Sequence, residues 1–220
     1  MPIKQALRNY DLLKVEDEIS REVYYGCRQQ WYATGWKRVS GCGPSVVSTI
    51  VSYIERSQAL ADAPGETAPI VTKERMRALM DDVWISVTPT MRGIPNTRIL
   101  REGIQRYAHR RSLDVETDEL AIPGRREARP PLSAVVSFLE GALVQDVPVA
   151  FLSLDNGEEK ALDTWHWVVL VSVEHDPGAG CASVEVIDEC RLFRADLRKW
   201  YETTSVGGGF VSLRRARVPM

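Results

Sequence analysis

Four stretches of the chain place apolar residues every three or four positions, the spacing of a helix with one buried face. The first stripe is Val46, Val47, Ile50, Val51 and Ile54. Ser40-Gly41-Cys42-Gly43-Pro44 leads into it, with proline in the first turn, where a missing N–H has no helical partner to lose. Met76, Leu79, Met80, Val83 and Trp84 form a second stripe that Thr72 can cap. A third, beginning near Asn96 or Thr97, carries Leu100, Ile104, Tyr107 and Ala108, and a fourth carries Leu132, Val135, Val136, Leu139 and Leu143. After Pro148 the texture changes. Residues 149–154, 164–173, 183–187 and 210–213 are β-branched and aromatic, and Asp-Asn-Gly, Asp-Pro-Gly-Ala-Gly and Gly-Gly-Gly lie between them, the pattern of an antiparallel sheet. One short helix is expected around residues 196–201. Helices first and strands later predict an α+β fold, a helical part over 24–146 packed on a β part over 147–220.

The remaining segments carry weaker patterns. Residues 1–23 mix charges with little periodicity and are expected to form an N-terminal arm ahead of a domain spanning 24–220. Residues 24–36, dense in aromatics and glycine, follow neither period and are expected to be a structured loop. Residues 114–131, with Arg125, Arg126, Arg129 and prolines at 123, 130 and 131, are expected to be a crossover loop or partly disordered. Together with 88–95, they are the irregular segments expected to border a groove.

Composition narrows the function classes. The 28 Lys and Arg nearly balance 30 Asp and Glu, and no long run of one sign occurs, so neither nucleic acid nor a membrane surface is an expected partner. No stretch approaches the roughly 18 apolar residues of a membrane span and the first residues have no apolar signal core, so a cytoplasmic location is expected. Cys27, Cys42, Cys181 and Cys190 are too scattered for a disulfide scaffold and lack the paired spacing of a structural zinc site. A metal site built from Cys27, Cys42 and a histidine has no ligand spacing to support it. In a reducing compartment all four are free thiols, which raises the question of a nucleophile.

Cys42 is the best candidate. A helix N-terminus favours the thiolate and aims unpaired N–H groups at it, and Gly41 and Gly43 are expected to leave room for a substrate backbone. A small buried thiol at a helix start is the plain alternative. His166 sits near the start of Trp165-His166-Trp167-Val168-Val169-Leu170-Val171, a strand apolar enough to be central, where an imidazole is costly unless paired. His109 lies at a helix end and His175 before a turn. If the strands around 166–173 and 183–187 form a hairpin, the end of the second lies beside the start of the first. That places Asp188 near His166, where it can orient the ring.

The order Cys, His, Asp, with Ser40-Gly41-Cys42-Gly43-Pro44-Ser45 opening a helix and Val186-Ile187-Asp188 ending a late strand, resembles papain-like cysteine peptidases. It is most similar to the group of bacteriocin-processing (C39-like) peptidases, whose nucleophile motif often reads Gly-Cys-Gly-Pro-Thr. The outline extends over residues 24–213, with the specificity in the Cys42 and His166 motifs. The stretch Tyr24-Tyr25-Gly26 through Gln29-Gln30-Trp31-Tyr32 is similar to an uncharacterised bacterial branch of that group. The resemblance implies a papain-like fold and a thiol peptidase or amidase. Cys42, His166 and Asp188 would act through an acyl-enzyme on a peptide or acyl-amide substrate, with no cofactor and no metal. It also allows an acyltransferase with the same triad, or a binding or regulatory module without turnover. With no Gly-x4-Gly-Lys-Ser/Thr loop and no spanning segment, cleavage of double-glycine leaders is not implied. The family's oxyanion glutamine usually lies about six residues before the cysteine, and Trp36 holds that position here. The donor must then be Gln29 or Gln30, of which an extended segment would let only one face the sulfur. Similarity to the bacterial branch selects Gln29.

Overall fold

The computed structural model describes residues 1–63, 65 and 67–216. Its ten strands are β1 (Ile3–Ala6), β2 (Lys14–Glu16), β3 (Val23–Tyr25), β4 (Val71–Thr72), β5 (Val115–Pro123), β6 (Val149–Ser153), β7 (His166–Asp176), β8 (Cys181–Asp188), β9 (Arg191–Ala195) and β10 (Gly207–Arg215). Its six α-helices are α1 (Gly35–Ser40), α2 (Cys42–Asp62), α3 (Lys73–Trp84), α4 (Thr97–Arg110), α5 (Leu132–Val144) and α6 (Leu197–Thr203). The protein is α+β, with a helical N-terminal half and a C-terminal antiparallel sheet.

The main sheet has the order β5-β10-β6-β7-β8-β9, and β1 pairs with β7 beyond the end of β6. A smaller sheet, β3-β2-β4, lies among the N-terminal segments. In β7 every residue from Trp167 to Val173 is buried, as a central strand covered on both faces requires. Across from it lies α2, buried on all sides over its first turns, with Val47, Ile50 and Tyr53 at most 1% exposed. Each such side chain removed from water contributes roughly 1.5–3 kcal/mol, which pins α2 to the sheet far more firmly than helix propensity could. Ser48 and Thr49, also buried, donate to the carbonyls of Pro44 and Ser45 and so leave no orphaned hydroxyl. Elsewhere the sheet is covered by an aromatic cluster in which Phe151, Phe210 and Trp200 meet, with Phe138 of α5 beside Phe210.

The helix stripes correspond to α2 through α5, and Thr72 and Asn96 cap α3 and α4 by accepting from Arg75 and Ile99. Residues 114–131 differ from expectation: 115–123 form β5, paired along its whole length with β10. Its polar residues suit an edge strand, where Glu116 and Asp118 face Arg214 across the ladder. The sequence pattern also passed over β9. Within the expected loop 24–36 the chain forms the end of β3, a 3-10 turn at Gln29–Trp31 and the start of α1. Among the described residues no helix is long and apolar enough to cross a membrane.

Candidate active site

Cys42 is the first residue of α2, and Gly41 is the joint between α1 and α2. The sulfur therefore stands where the helix leaves its first N–H groups without helical acceptors. The two glycines beside it lie against the protein's own segments. A Cβ on Gly41 would collide with the Lys37 carbonyl and the Tyr32 ring, and one on Gly43 would lie 2.8 Å from Ile94 Cδ1. At Gly41 backbone and a packed ring leave no room for a side chain, whereas at Gly43 the end of the Ile94 side chain would have to give way.

His166 opens β7 and Asp188 closes β8, and the register Val169 to Ile187 brings the two ends together as the hairpin argument required. His166 Nε2 donates to Asp188 Oδ1 at 2.6 Å. Burial disfavours the charged ring. Hydrogen bonds to Asp188 and to Cys42, with their charges, more than offset it and push the imidazole's pKa up to about 10. The other ring nitrogen is thereby left to the Cys42 side. Three of the six non-glycine residues with positive φ among the described residues lie next to His166 and Asp188. Trp165 has φ +53°, and Glu189 and Cys190, the two residues joining β8 to β9, have φ +44° and +67°. Without glycine, such left-handed positions cost on the order of 1–3 kcal/mol each and tend to gather at functional sites.

The strained turn is held by the segment that carries the glutamines. Tyr25 N donates to the Cys190 carbonyl at 3.2 Å, and Arg28 Nε lies 3.1 Å from Glu189 Oε2. Gln29 lines the same small cavity as Cys42, His166 and Asp188, a space of ≈ 20 Å³, room for about one water. Its Oε1 is buried without a hydrogen-bond partner. Gln30 is exposed and outside that lining. The two glutamines lie in a 3-10 turn and not in an extended segment, so the alternation argument for choosing between them does not apply. Trp36 lies half-exposed on α1.

Two further features border the site. The Arg28–Glu189 pair borders the cavity, and Asp163 has a carboxylate oxygen within 4.8 Å of a ring nitrogen of His166 and an oxygen of Asp188. Asp163 stands only three residues before His166, and that proximity was the available signal. Asp163, His166 and Asp188 could in principle hold a metal ion. The high imidazole pKa opposes this, because a metal must displace the ring proton. Of the irregular segments, 88–95 does adjoin the site: Ile94 covers Gly43, and Trp167 Nε1 donates to the Ile94 carbonyl at 2.8 Å. Residues 115–123 are separated from β7 by β10 and β6.

No protein-family model matches the sequence, and no curated protein matches it. Among solved structures, that of UfSP from C. elegans aligns at 12% identity and a TM-score of 0.48, covering 98% of this chain. The chain spans about a third of the length of that structure, 34%.

Proposed function

We propose that the protein is a thiol-dependent peptidase or amidase of papain-like type, similar in its motifs to the C39-like group and acting in the cytoplasm. One observation carries this reading: a largely buried imidazole bonded to a carboxylate and lining one small cavity with a thiol that opens a helix. In this mechanism Cys42 attacks the substrate carbonyl as a thiolate. His166, charged and held by Asp188, donates its proton to the leaving amine, and an acyl-enzyme remains on Cys42. Water, activated by the now neutral His166, releases the acid. The Cys42 backbone N–H and the Gln29 amide stabilise the oxyanion. A half-turn of that amide exchanges Oε1 and Nε2, so its unpartnered buried end can serve as an N–H donor. Transfer of the acyl group to an amine uses the same intermediate.

The test is a library of peptides and acyl-amides, with Cys42→Ala as the blank, run beside mass-spectrometric mapping of limited iodoacetamide at pH 6. The reading requires turnover that the blank lacks and labelling of Cys42 ahead of the other thiols. Burial holds Cys27 up at about 12 and Cys190 higher still, so neither competes. Selective labelling of Cys42 without turnover of any library member would instead favour a binding module, and even labelling of all four thiols would sink both the nucleophile and the proposal.

A further inference from the structure

Away from Cys42, α2, α3, α4 and residues 67–72 enclose a second cavity of ≈ 690 Å³ that shares no lining residue with the first. That volume is in the range of small-molecule sites. Its middle is apolar, with Leu60, Met76 and Leu79, but its two ends differ in charge.

At one end stand Arg56 and Arg75. Arg56 is half-buried, and its guanidinium donates only to carbonyls, those of Leu12, Lys14 and Pro69. Its Nε is buried with no partner. Among the described residues, neither arginine has a carboxylate within ion-pair distance. Both line the same end of the cavity, and burial and the charge of Arg75 lower the pKa of Arg56, with Asp11 opposing them. Partly buried charges are normally paired, and among the described residues Arg56 has no carboxylate in direct contact, only the more distant charge of Asp11.

At the other end are Asp82, Glu55 and Tyr107. Asp82 is already taken by Arg110 at 2.8 Å and Arg111 at 3.7 Å. Tyr107 is 2% exposed, and its hydroxyl has no hydrogen-bond partner. Glu55 and Asp82 act on Tyr107 against Arg110 and Arg111, so charge at this end is balanced where the other end has two cations without an ion-pair partner among the described residues. Seven residues of α3 separate Arg75 from Asp82, about 10 Å of helix axis. We propose that this cavity binds an amphipathic anion, with a carboxylate or phosphate head between Arg56 and Arg75 and an apolar body about 10 Å long lying over Leu60, Met76 and Leu79 toward Tyr107.

Calorimetric titration of the full chain carrying Cys42→Ala tests this independently of any peptidase activity. The probes are decanoate, decyl phosphate, decanol and inorganic phosphate, each below its micelle-forming concentration. Both long-chain anions should bind at one site per chain, about tenfold or more tighter than decanol, with inorganic phosphate weaker than either. Tighter binding of decanoate assigns a carboxylate head, and tighter binding of decyl phosphate a phosphate head. Arg75 is exposed, so Arg75→Ala should fold normally, lose about tenfold for both anions and leave decanol unchanged. Equal affinity for decanol and the anions, no binding of either anion, or anion affinity unchanged in Arg75→Ala would overturn the proposal.

Discussion

β7 carries a histidine paired with a carboxylate at each end, and only one of them has the makings of a reaction centre. His166 donates to Asp188 at 2.6 Å, and His175 lies 2.9 Å from Glu140 of α5. The two rings are equally sheltered, 14% and 16% exposed, so burial does not separate them. Each also has a cysteine nearby in sequence or space. Cys181 begins β8 and is exposed, and it pairs across the ladder with Asp176 and not with His175. It also opens a strand, which supplies no converging N–H groups. Cys42 opens a helix, lines the same cavity as His166 and helps raise the pKa of its ring. A histidine–carboxylate pair is therefore common structural material. The thiol's position at a helix N-terminus is what turns one such pair into a candidate for chemistry.

The largest effect that could break this comparison is on turnover. Cys42→Ala and His166→Ala should each lose on the order of 10⁴-fold or more in kcat/KM on the best library substrate, while Cys181→Ala and His175→Ala stay within about twofold. A comparable loss in Cys181→Ala would put the centre at the wrong end of β7. Next in size, Gln29→Ala should lower kcat about 10²- to 10³-fold with little change in KM, because an oxyanion donor acts in the transition state. Gln30→Ala should be silent in the same assay. If the glutamines only tie the loop together, Gln29→Ala will instead lose melting temperature and keep its activity per folded molecule.

Replacing the carboxylates sharpens the contrast further. Asp188→Asn should cost on the order of 10-fold, less than the 10²–10⁴ of a complete acid–base group, because Cys42 still holds the ring. The alkaline limb of kcat/KM, set by loss of the His166 proton near pH 10, should move down in that variant. Glu140→Gln should leave the rate and the pH profile in place. The smallest effect is on stability. Because its folded pKa is raised, His166 stabilises the fold fully below the ordinary histidine pKa of about 6.5, and that contribution disappears as pH rises through about 10. Urea midpoints for the parent protein and His166→Gln should therefore converge between pH 7 and 10.5. A gap independent of pH would mean that the ring acts by packing alone.

Much of the site was legible because its parts are local or follow from one hairpin. The stripe from Val46 to Ile54 and the Gly-Cys-Gly-Pro start place Cys42 at a helix N-terminus, since helix period and first-turn chemistry act within a few residues. The apolar run after His166 marks a buried strand, and the turn at Asp176-Pro177-Gly178 returns the chain so that Asp188 meets His166. Charged side chains obscured β5, whose pattern is set by its place at the sheet edge and by Arg214 opposite.

From the sequence alone came the α+β order of elements, the helix start at Cys42 and the pairing of His166 with Asp188, all properties of neighbouring residues and one tight turn. Only the tertiary structure decided which glutamine lines the cavity, what presses on Gly41 and Gly43, where Asp163 reaches, and that Arg56 and Arg75 share one end of a second cavity. Those facts depend on how segments far apart in the chain pack against each other, and neither periodicity nor turn chemistry contains that distance.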